Sequence, residues 1–316
     1  MKRIPVLFVS IFISLVLFIS NTSCMKNTED TQQYLKDGNL KIAQKDYKGA
    51  ISVYSKAIEQ DPKNADAYNN RGLSKNKIGD YSGALQDINK AIELKQNDAV
   101  EYSNRGDAKY GLKDYTGANI DYTKSIELNS GNAIVYNNRG LARVGLNDYS
   151  SAITDYNKSL EIKPNEPVVY YNRGCAKNKL KDYSRALEDL DKSIELFPDF
   201  SVAYSDRGLS KVGLKDNTGA MNDFTRGIEL KPNEFMGYFN RGSLKADTKD
   251  YNGALADFNK TIELNPNYAQ AYFNRAVVKS LLNILVEACV DWDKAKQLGY
   301  KEAQEYLDKY CKWDNS

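Results

Sequence analysis

The feature that most constrains this chain is a period. The triplet Asn-Arg-Gly begins at Asn70, Asn104, Asn138, Asn172 and Asn240, near-copies begin at Asp206 and Asn274, and every step is a multiple of 34 residues. Two further columns keep the same phase: Ala50, Ala84, Ala118, Ala152, Ala186, Ala220, Ala254 and Ala288, and Tyr34, Tyr68, Tyr102, Tyr136, Tyr170, Tyr204, Tyr238 and Tyr272. A chain that repeats itself this strictly folds by stacking copies of one supersecondary unit, because no single copy can bury its own apolar face. The length of 316 residues, which alone suggests two ordinary domains, therefore carries little weight.

Within one period the residues spell two helices. In 65–98 the stretch from Ala65 to Ile78 is helical in composition, Gly79-Asp80 breaks it, and Tyr81 to Leu94 carries Ala84, Leu85, Ile88, Ala91 and Ile92 at three- and four-residue spacing. Asp80 is placed to cap the second helix. Gly72 and Ala84 are small enough to let the two helices approach, with Tyr68 and Tyr81 filling space around them. Pro62, Pro164, Pro198, Pro232 and Pro266 mark the turns between copies.

A 34-residue period with Tyr, Gly and Ala in this order resembles the tetratricopeptide repeat. The resemblance covers residues 31–302 as eight repeats, 31–64, 65–98, 99–132, 133–166, 167–200, 201–234, 235–268 and 269–302. It implies an all-α fold, an α-solenoid with a right-handed superhelix of eight helix-turn-helix repeats. Residues 303–316 are expected to supply a capping helix and tail, with Tyr306, Leu307 and Tyr310 facing inward. The last repeat is degenerate, with Ala276 for Gly and Leu285 for Tyr, as terminal repeats are.

The seventh repeat position, usually large and apolar in that family, is here Arg71, Arg105, Arg139, Arg173, Arg207, Arg241 and Arg275. Sixteen residues later stand Asp87, Asp121, Asp155, Asp189, Asp223, Asp257 and Asp291, and repeat one, with Asp37 and Val53, lacks both members. Pairing within a repeat leaves no orphan, whereas pairing with the preceding repeat would set Arg71 against Val53. Structural Arg–Asp bridges inside each repeat are therefore expected. A basic column, Lys41, Lys75, Lys109, Arg143, Lys177, Lys211, Lys245 and Lys279, reads either as a stripe for an acidic partner or as stems packed on apolar neighbours with their charges on nearby acids such as Asp87 or Glu93. The balance of acids and bases favours the second.

In the resembled family the first helices line a concave groove, and its ligand-facing positions include the second, fifth, sixth, ninth and twelfth. Carried onto this chain, the sixth position gives Asn70, Asn104, Asn138, Asn172, Asp206, Asn240 and Asn274. An amide offers one acceptor and two donors and so grips a peptide group without reading its side chain. The competing reading has these amides bonded to their own backbone or to water. The fifth position adds Tyr171, Phe239 and Phe273, and the second adds Val100, Ile134, Val168, Val202 and Met236. The resemblance implies a scaffold for a protein or extended peptide in that groove; the rival is a structural subunit of an envelope assembly working through its convex face and caps.

Residues 1–24 have the layout of an export signal: Lys2 and Arg3, an apolar run from Ile4 to Ile19, then Asn21 to Cys24. Cys24 after Ser23 resembles the lipidated cysteine of bacterial lipoproteins, although Asn21 stands where that family usually has Leu. Residues 25–30 would then be a short tether, and the expected location is the cell envelope, with the membrane reached through the N-terminal lipid. Ordinary cleavage and an uncleaved anchor are the alternatives. Cys289 and Cys311 flank the predicted turn at Gly299-Tyr300, either as a disulfide that pins the capping helix or as two small buried residues.

Catalysis is not expected. Histidine is absent, which removes the commonest base and metal ligand. No Cys/His metal spacing and no phosphate-binding glycine loop occurs, so neither metal nor other cofactor is expected, nor a small-molecule substrate. Lys and Arg, 44 together, nearly balance 42 Asp and Glu, which argues against nucleic acid.

Overall fold

The computed structural model describes residues 29–311; the expected signal, Cys24, most of the tether and the last five residues lie outside the described part. The described residues form 17 helices and no strands. The chain divides into two compact units, Met1–Ile162 and Lys163–Ser316. In the first unit α1 (29–43) and α2 (Tyr47–Gln60), α3 (Ala65–Lys77) and α4 (Tyr81–Leu94), α5 (Ala99–Gly111) and α6 (Tyr115–Leu128), and α7 (Ala133–Gly145) and α8 (Tyr149–Ile162) make four hairpins. In the second, α9 (Pro167–Lys179) and α10 (Tyr183–Leu196), α11 (Ser201–Gly213) and α12 (Asn217–Leu230), α13 (Phe235–Asp247) and α14 (Tyr251–Leu264), and α15 (Ala269–Leu281) and α16 (Leu285–Gln297) make four more, followed by the cap α17 (Ala303–Tyr310). Inside each unit, every second helix packs on the first helix of the next hairpin, and first helices also touch in succession from α3 to α7 and from α9 to α15.

One aspartate builds most of the hairpin turns. Its backbone N–H bonds the carbonyl five residues back, as from Asp80 to Lys75 (3.0 Å) and from Asp250 to Lys245 (2.8 Å), closing the first helix. Its carboxylate then accepts the N–H three residues on, as Asp80 does from Gly83 and Asp250 from Gly253, starting the second helix. The residue just before it is left-handed. Only in the second hairpin is that residue a glycine, Gly79; Lys45, Lys113, Asn147, Lys181, Lys215, Lys249 and Asn283 take φ of 59–66° at the equivalent place. The helix break expected from glycine is thus made at six of the other turns by the closing bond and the cap, and before Ile284, which has no capping side chain, by the closing bond alone; an ordinary side chain is held there in a costly conformation.

The contact inside a hairpin is a glycine against a large side chain. A Cβ on Gly72 would come 2.6 Å from Ile88, and one on Gly106 would come 2.6 Å from Tyr122. Ile88, and not Tyr68 or Tyr81, takes the space at Gly72; Tyr68 lies against Arg71 and Tyr81 reaches Gly111 of the next hairpin. The same register carries Tyr54, Tyr156, Leu190, Phe224, Phe258 and Trp292, all fully or almost fully buried, and these form the core of the units. Such burial contributes roughly 1.5–3 kcal/mol per side chain.

The cap seals the last hairpin. Tyr306 and Leu307 pack on the cluster of Ala276, Ala288 and Trp292, and Cys289 is bonded to Cys311. Tyr310, expected to face inward, stacks on Trp292 yet remains 39% exposed.

Candidate functional site

Each repeat from the second onward carries an Arg–Asp pair between its own two helices. In all seven, Arg Nη2 lies 2.6–2.8 Å from Asp Oδ1 and Nε lies 2.8–3.0 Å from Oδ2. These join Arg71 to Asp87, Arg105 to Asp121, Arg139 to Asp155, Arg173 to Asp189, Arg207 to Asp223, Arg241 to Asp257 and Arg275 to Asp291. The basic column completes the group: Lys75, Lys109, Arg143, Lys177, Lys211, Lys245 and Lys279 approach the same aspartates at 2.7–2.9 Å. Each guanidinium also sits 5.2–5.7 Å from the ring of the tyrosine three residues earlier. The arginine reaches further than its own repeat. Its Nη1 donates to the preceding second helix, Arg71 to Ser55, Arg139 to Thr123 and Arg275 to Asn259, and Arg207 pairs there with Asp191. These groups therefore serve the scaffold and are not open to a guest. Lys41, whose repeat has Val53 in place of the acid, turns to Asp46 instead.

The expected asparagine ladder is drawn into the scaffold at most rungs. Asn70 donates to Asn39 (3.4 Å), Asn138 to Asp107 (3.1 Å) and Asn274 to Ser243 (3.5 Å), in each case bonding the ninth position of the preceding repeat. Asn104, only 7% exposed, donates to Asn69 (2.9 Å). Asp206 accepts the hydroxyl of Tyr171 (2.8 Å). Asn172 and Asn240 are half-buried. A free row of amides for a peptide backbone is not what these side chains present.

The aromatic members are packed as well. Phe239 is 7% exposed and belongs to the core with Phe258 and Val278. Tyr171 lies on Phe200, and Phe273 is covered by Tyr300 and Tyr306 near the cap. The second position is exposed in part: Val100 is 57% exposed and Ile134 64% in the first unit, and Val168 is 49% exposed in the second, where Val202 and Met236 are half-buried.

Sequence reasoning named the ninth position among the ligand-facing ones but assigned none of its residues. That position alternates: Asn39, Asp107, Cys175 and Ser243 in odd repeats, Leu73, Leu141, Leu209 and Val277 in even ones. That doubled period was the available signal. In the first unit its polar members meet buried tyrosines, Tyr54 donating to Asn39 and Tyr122 to Asp107 (both 2.7 Å). Burial pushes the Tyr54 phenol up to about 12. Burial also pushes the Asp107 carboxyl up, opposed by its bonds from Tyr122 and Asn138, and pushes Asp206 and the Cys175 thiol up in the second unit.

A second unforeseen acid is Glu101. It is 1% exposed, and neither carboxylate oxygen has a hydrogen-bond partner. Its register is held by Gln33 in the first repeat and by Ala67, Val135, Val169, Ala203, Gly237 and Ala271 in the others. Burial pushes it up to about 7, helped by Asp98 and Asp66 and opposed by Lys95.

Around Asp107 the first unit opens a cavity of about 230 Å³. Asn76 and Lys77 of α3, Asp107 and Tyr110 of α5, and Asn138 and Leu141 of α7 line it, with Tyr81 and Tyr122 from the second helices.

With hairpins, caps and repeating contacts in place, the family follows. Models of the tetratricopeptide repeat match residues 65–98, 133–166, 167–200 and 237–268, and a further TPR repeat model matches residues 38–79. The chain belongs to the tetratricopeptide repeat family. Among solved structures, the APC/C hetero-tetramer Cut9–Hcn1 superposes with a TM-score of 0.65 at 19% identity, over 84% of this chain and 53% of that one, so the chain spans about half of its length. A tetratricopeptide repeat protein from Parabacteroides merdae gives a TM-score of 0.60 at 19% identity, over 81% and 98% of the two chains. YrrB, described as a TPR protein with an unusual peptide-binding site, gives 0.51 at 20% identity, over 58% of this chain and 95% of its own.

Proposed function

We propose that this protein is a protein-interaction scaffold that holds an extended segment of another protein along the first helices of its hairpins. The observation that carries this is the exposure of Val100 and Ile134 at one register of the first unit, on the same first helices, α5 and α7, that supply Asp107, Tyr110, Asn138 and Leu141 to a polar cavity with aromatic walls. Exposed apolar side chains next to unspent hydrogen-bonding groups are the surface a peptide needs. The peptide-binding description of YrrB supports the same reading. No catalytic role is proposed.

The test is affinity capture with three forms: wild type, Val100→Glu/Ile134→Glu, and Ile120→Glu. Ile120 is 60% exposed but lies on α6, a second helix. Loss of a partner from the first-helix variant alone supports the groove. Loss from the α6 variant alone rejects it.

A second reading rests on a separate observation. Val286 and Val290 are each 66% exposed on α16, with Leu281 56% exposed nearby in sequence, an apolar end-surface suited to a structural subunit of an assembly. Val286→Asp/Val290→Asp would abolish capture under that reading and leave it intact under the first.

We further propose export and lipid anchoring to the cell envelope. The pattern of residues 1–24 supports it, and so does the Cys289–Cys311 bond, since disulfides persist in oxidising compartments. Labelling with a radioactive fatty acid in growing cells should mark the wild type and not Cys24→Ser; labelling of neither sinks the lipid anchor.

A further inference from the structure

The cavity of the first unit has an internal control in the second. Asn76 donates its amide to the Asn104 carbonyl (2.8 Å), and Asn178, at the same place in its own repeat, donates to the Asp206 carbonyl (3.2 Å). The Asn178 Oδ1 then accepts the Ser210 hydroxyl (2.8 Å). In the first unit the residue equivalent to Ser210 is Ala108, and the Asn76 Oδ1 is buried with no hydrogen-bond partner. An acceptor buried this way destabilises the fold unless something donates to it. Asn76 lines the cavity, so a bound group can supply that donor.

The other groups in the cavity ask for the same chemistry. Asp107 accepts from Tyr122 and Asn138 through Oδ1 alone, and among the described residues it has no salt bridge. Its Oδ2 is an anionic acceptor without a recorded donor. Tyr81 and Tyr110 add ring surface, which attracts a cation. The volume of about 230 Å³ is below the ~300–1,000 Å³ of pockets for drug-sized ligands and suits one long side chain.

We propose that this cavity is a pocket for a single basic side chain of the bound segment, arginine in preference to lysine. The planar guanidinium carries five donors and can serve Asp107 and Asn76 together while its face meets an aromatic ring. Lys77 sets the limit on affinity. It lies at the exposed edge of the cavity, its charge acts on Asp107, and it competes with the guest for that carboxylate. This inference rests on the groove reading for its biological guest, but the pocket can be probed without a peptide.

The experiment has two arms. In the first, a positional library of blocked hexapeptides is screened by fluorescence polarisation. Wild type should select arginine at one position, and replacing that arginine by citrulline, its neutral isostere, should weaken binding roughly tenfold or more. Asp107→Asn keeps an acceptor for Tyr122 and Asn138; it should bind the arginine peptide as weakly as wild type binds the citrulline peptide. Ala108→Ser gives Asn76 the partner that Ser210 gives Asn178 and should weaken the arginine peptide severalfold, whereas Lys77→Gln should strengthen it. Thermal melts check that each variant is folded. In the second arm, saturation-transfer NMR follows N-acetyl-argininamide with wild type and Asp107→Asn. Peptide binding without a basic preference, or a preference that survives Asp107→Asn, overturns the pocket and leaves the groove standing. Binding of the argininamide to wild type alone, with no peptide bound, upholds the pocket and overturns the groove. Silence in both arms overturns both.

Discussion

Asp155 offers the sharpest test of what holds a hairpin together. Its carboxylate takes two charge-assisted hydrogen bonds, from Arg139 Nε (3.0 Å) and Nη2 (2.7 Å), and an ion pair with Arg143 Nη1 (2.8 Å). It is 2% exposed as a side chain, Arg139 13% and Arg143 21%. Asp155→Leu therefore strands two cations, one of them deeply placed, and should cost about 3–5 kcal/mol. Arg139→Met removes both hydrogen bonds to the carboxylate and the one to Thr123, but leaves Asp155 paired with Arg143, so it should cost less, about 1.5–3 kcal/mol. The double variant has no buried acid and one arginine able to turn to water. It should recover about 1–3 kcal/mol relative to the sum of the singles. Because an array need not unfold in one step, urea melts should be read together with hydrogen exchange on α7 and α8. Single-variant losses that add within ~0.5 kcal/mol would refute the coupling, and a loss below ~1 kcal/mol for Asp155→Leu would show that the pair behaves as a surface one.

Other outcomes follow from particular residues. Glu101 holds its proton in the folded chain up to about pH 7, whereas a free glutamate ionises near 4.5, so the native state binds more protons between those values and stability falls as pH rises through them. Glu101→Ala should raise the melting temperature at pH 8 and change it little at pH 4; an equal gain at both would contradict the assignment. Lys181, at φ 61°, should gain about 0.5–1 kcal/mol on replacement by glycine, and Gly79→Ala, at φ 82°, should lose about 1 kcal/mol, both by denaturant melts. Reducing the Cys289–Cys311 bond, or Cys289→Ser, reopens a loop of 22 residues and should cost about 3 kcal/mol, seen first as faster exchange in α17.

The architecture was legible because its determinants repeat. Columns of Tyr, Gly and Ala fix the period, and the aspartate before every second helix but the last announces the cap. The Arg and Asp columns could be matched because both vanish together in repeat one. Depth was not legible, because a period gives register and not burial. Phe239, Tyr171 and Phe273 share one repeat position, yet one is core, one bonds Asp206 and one lies under the cap. The asparagines suffered the same way: the amides of Asn70, Asn138 and Asn274 are taken by a ninth position whose alternation over two repeats is invisible at a spacing of 34. Glu101 shows the converse. From the second repeat on it stands in a column of Ala, Val and Gly, and that contrast was readable, although the charges that act on its proton come from Asp66 on α3 and from the turn that holds Lys95 and Asp98.

The hairpin-turn aspartates have an evolutionary consequence. Because one residue both stops a helix with its amide and launches the next with its carboxylate, the instructions for reversing direction are contained in a handful of adjacent codons. Copying or losing a whole block of 34 residues leaves every such instruction intact. The gene can therefore lengthen or shorten its product by unequal recombination without having to invent a new corner.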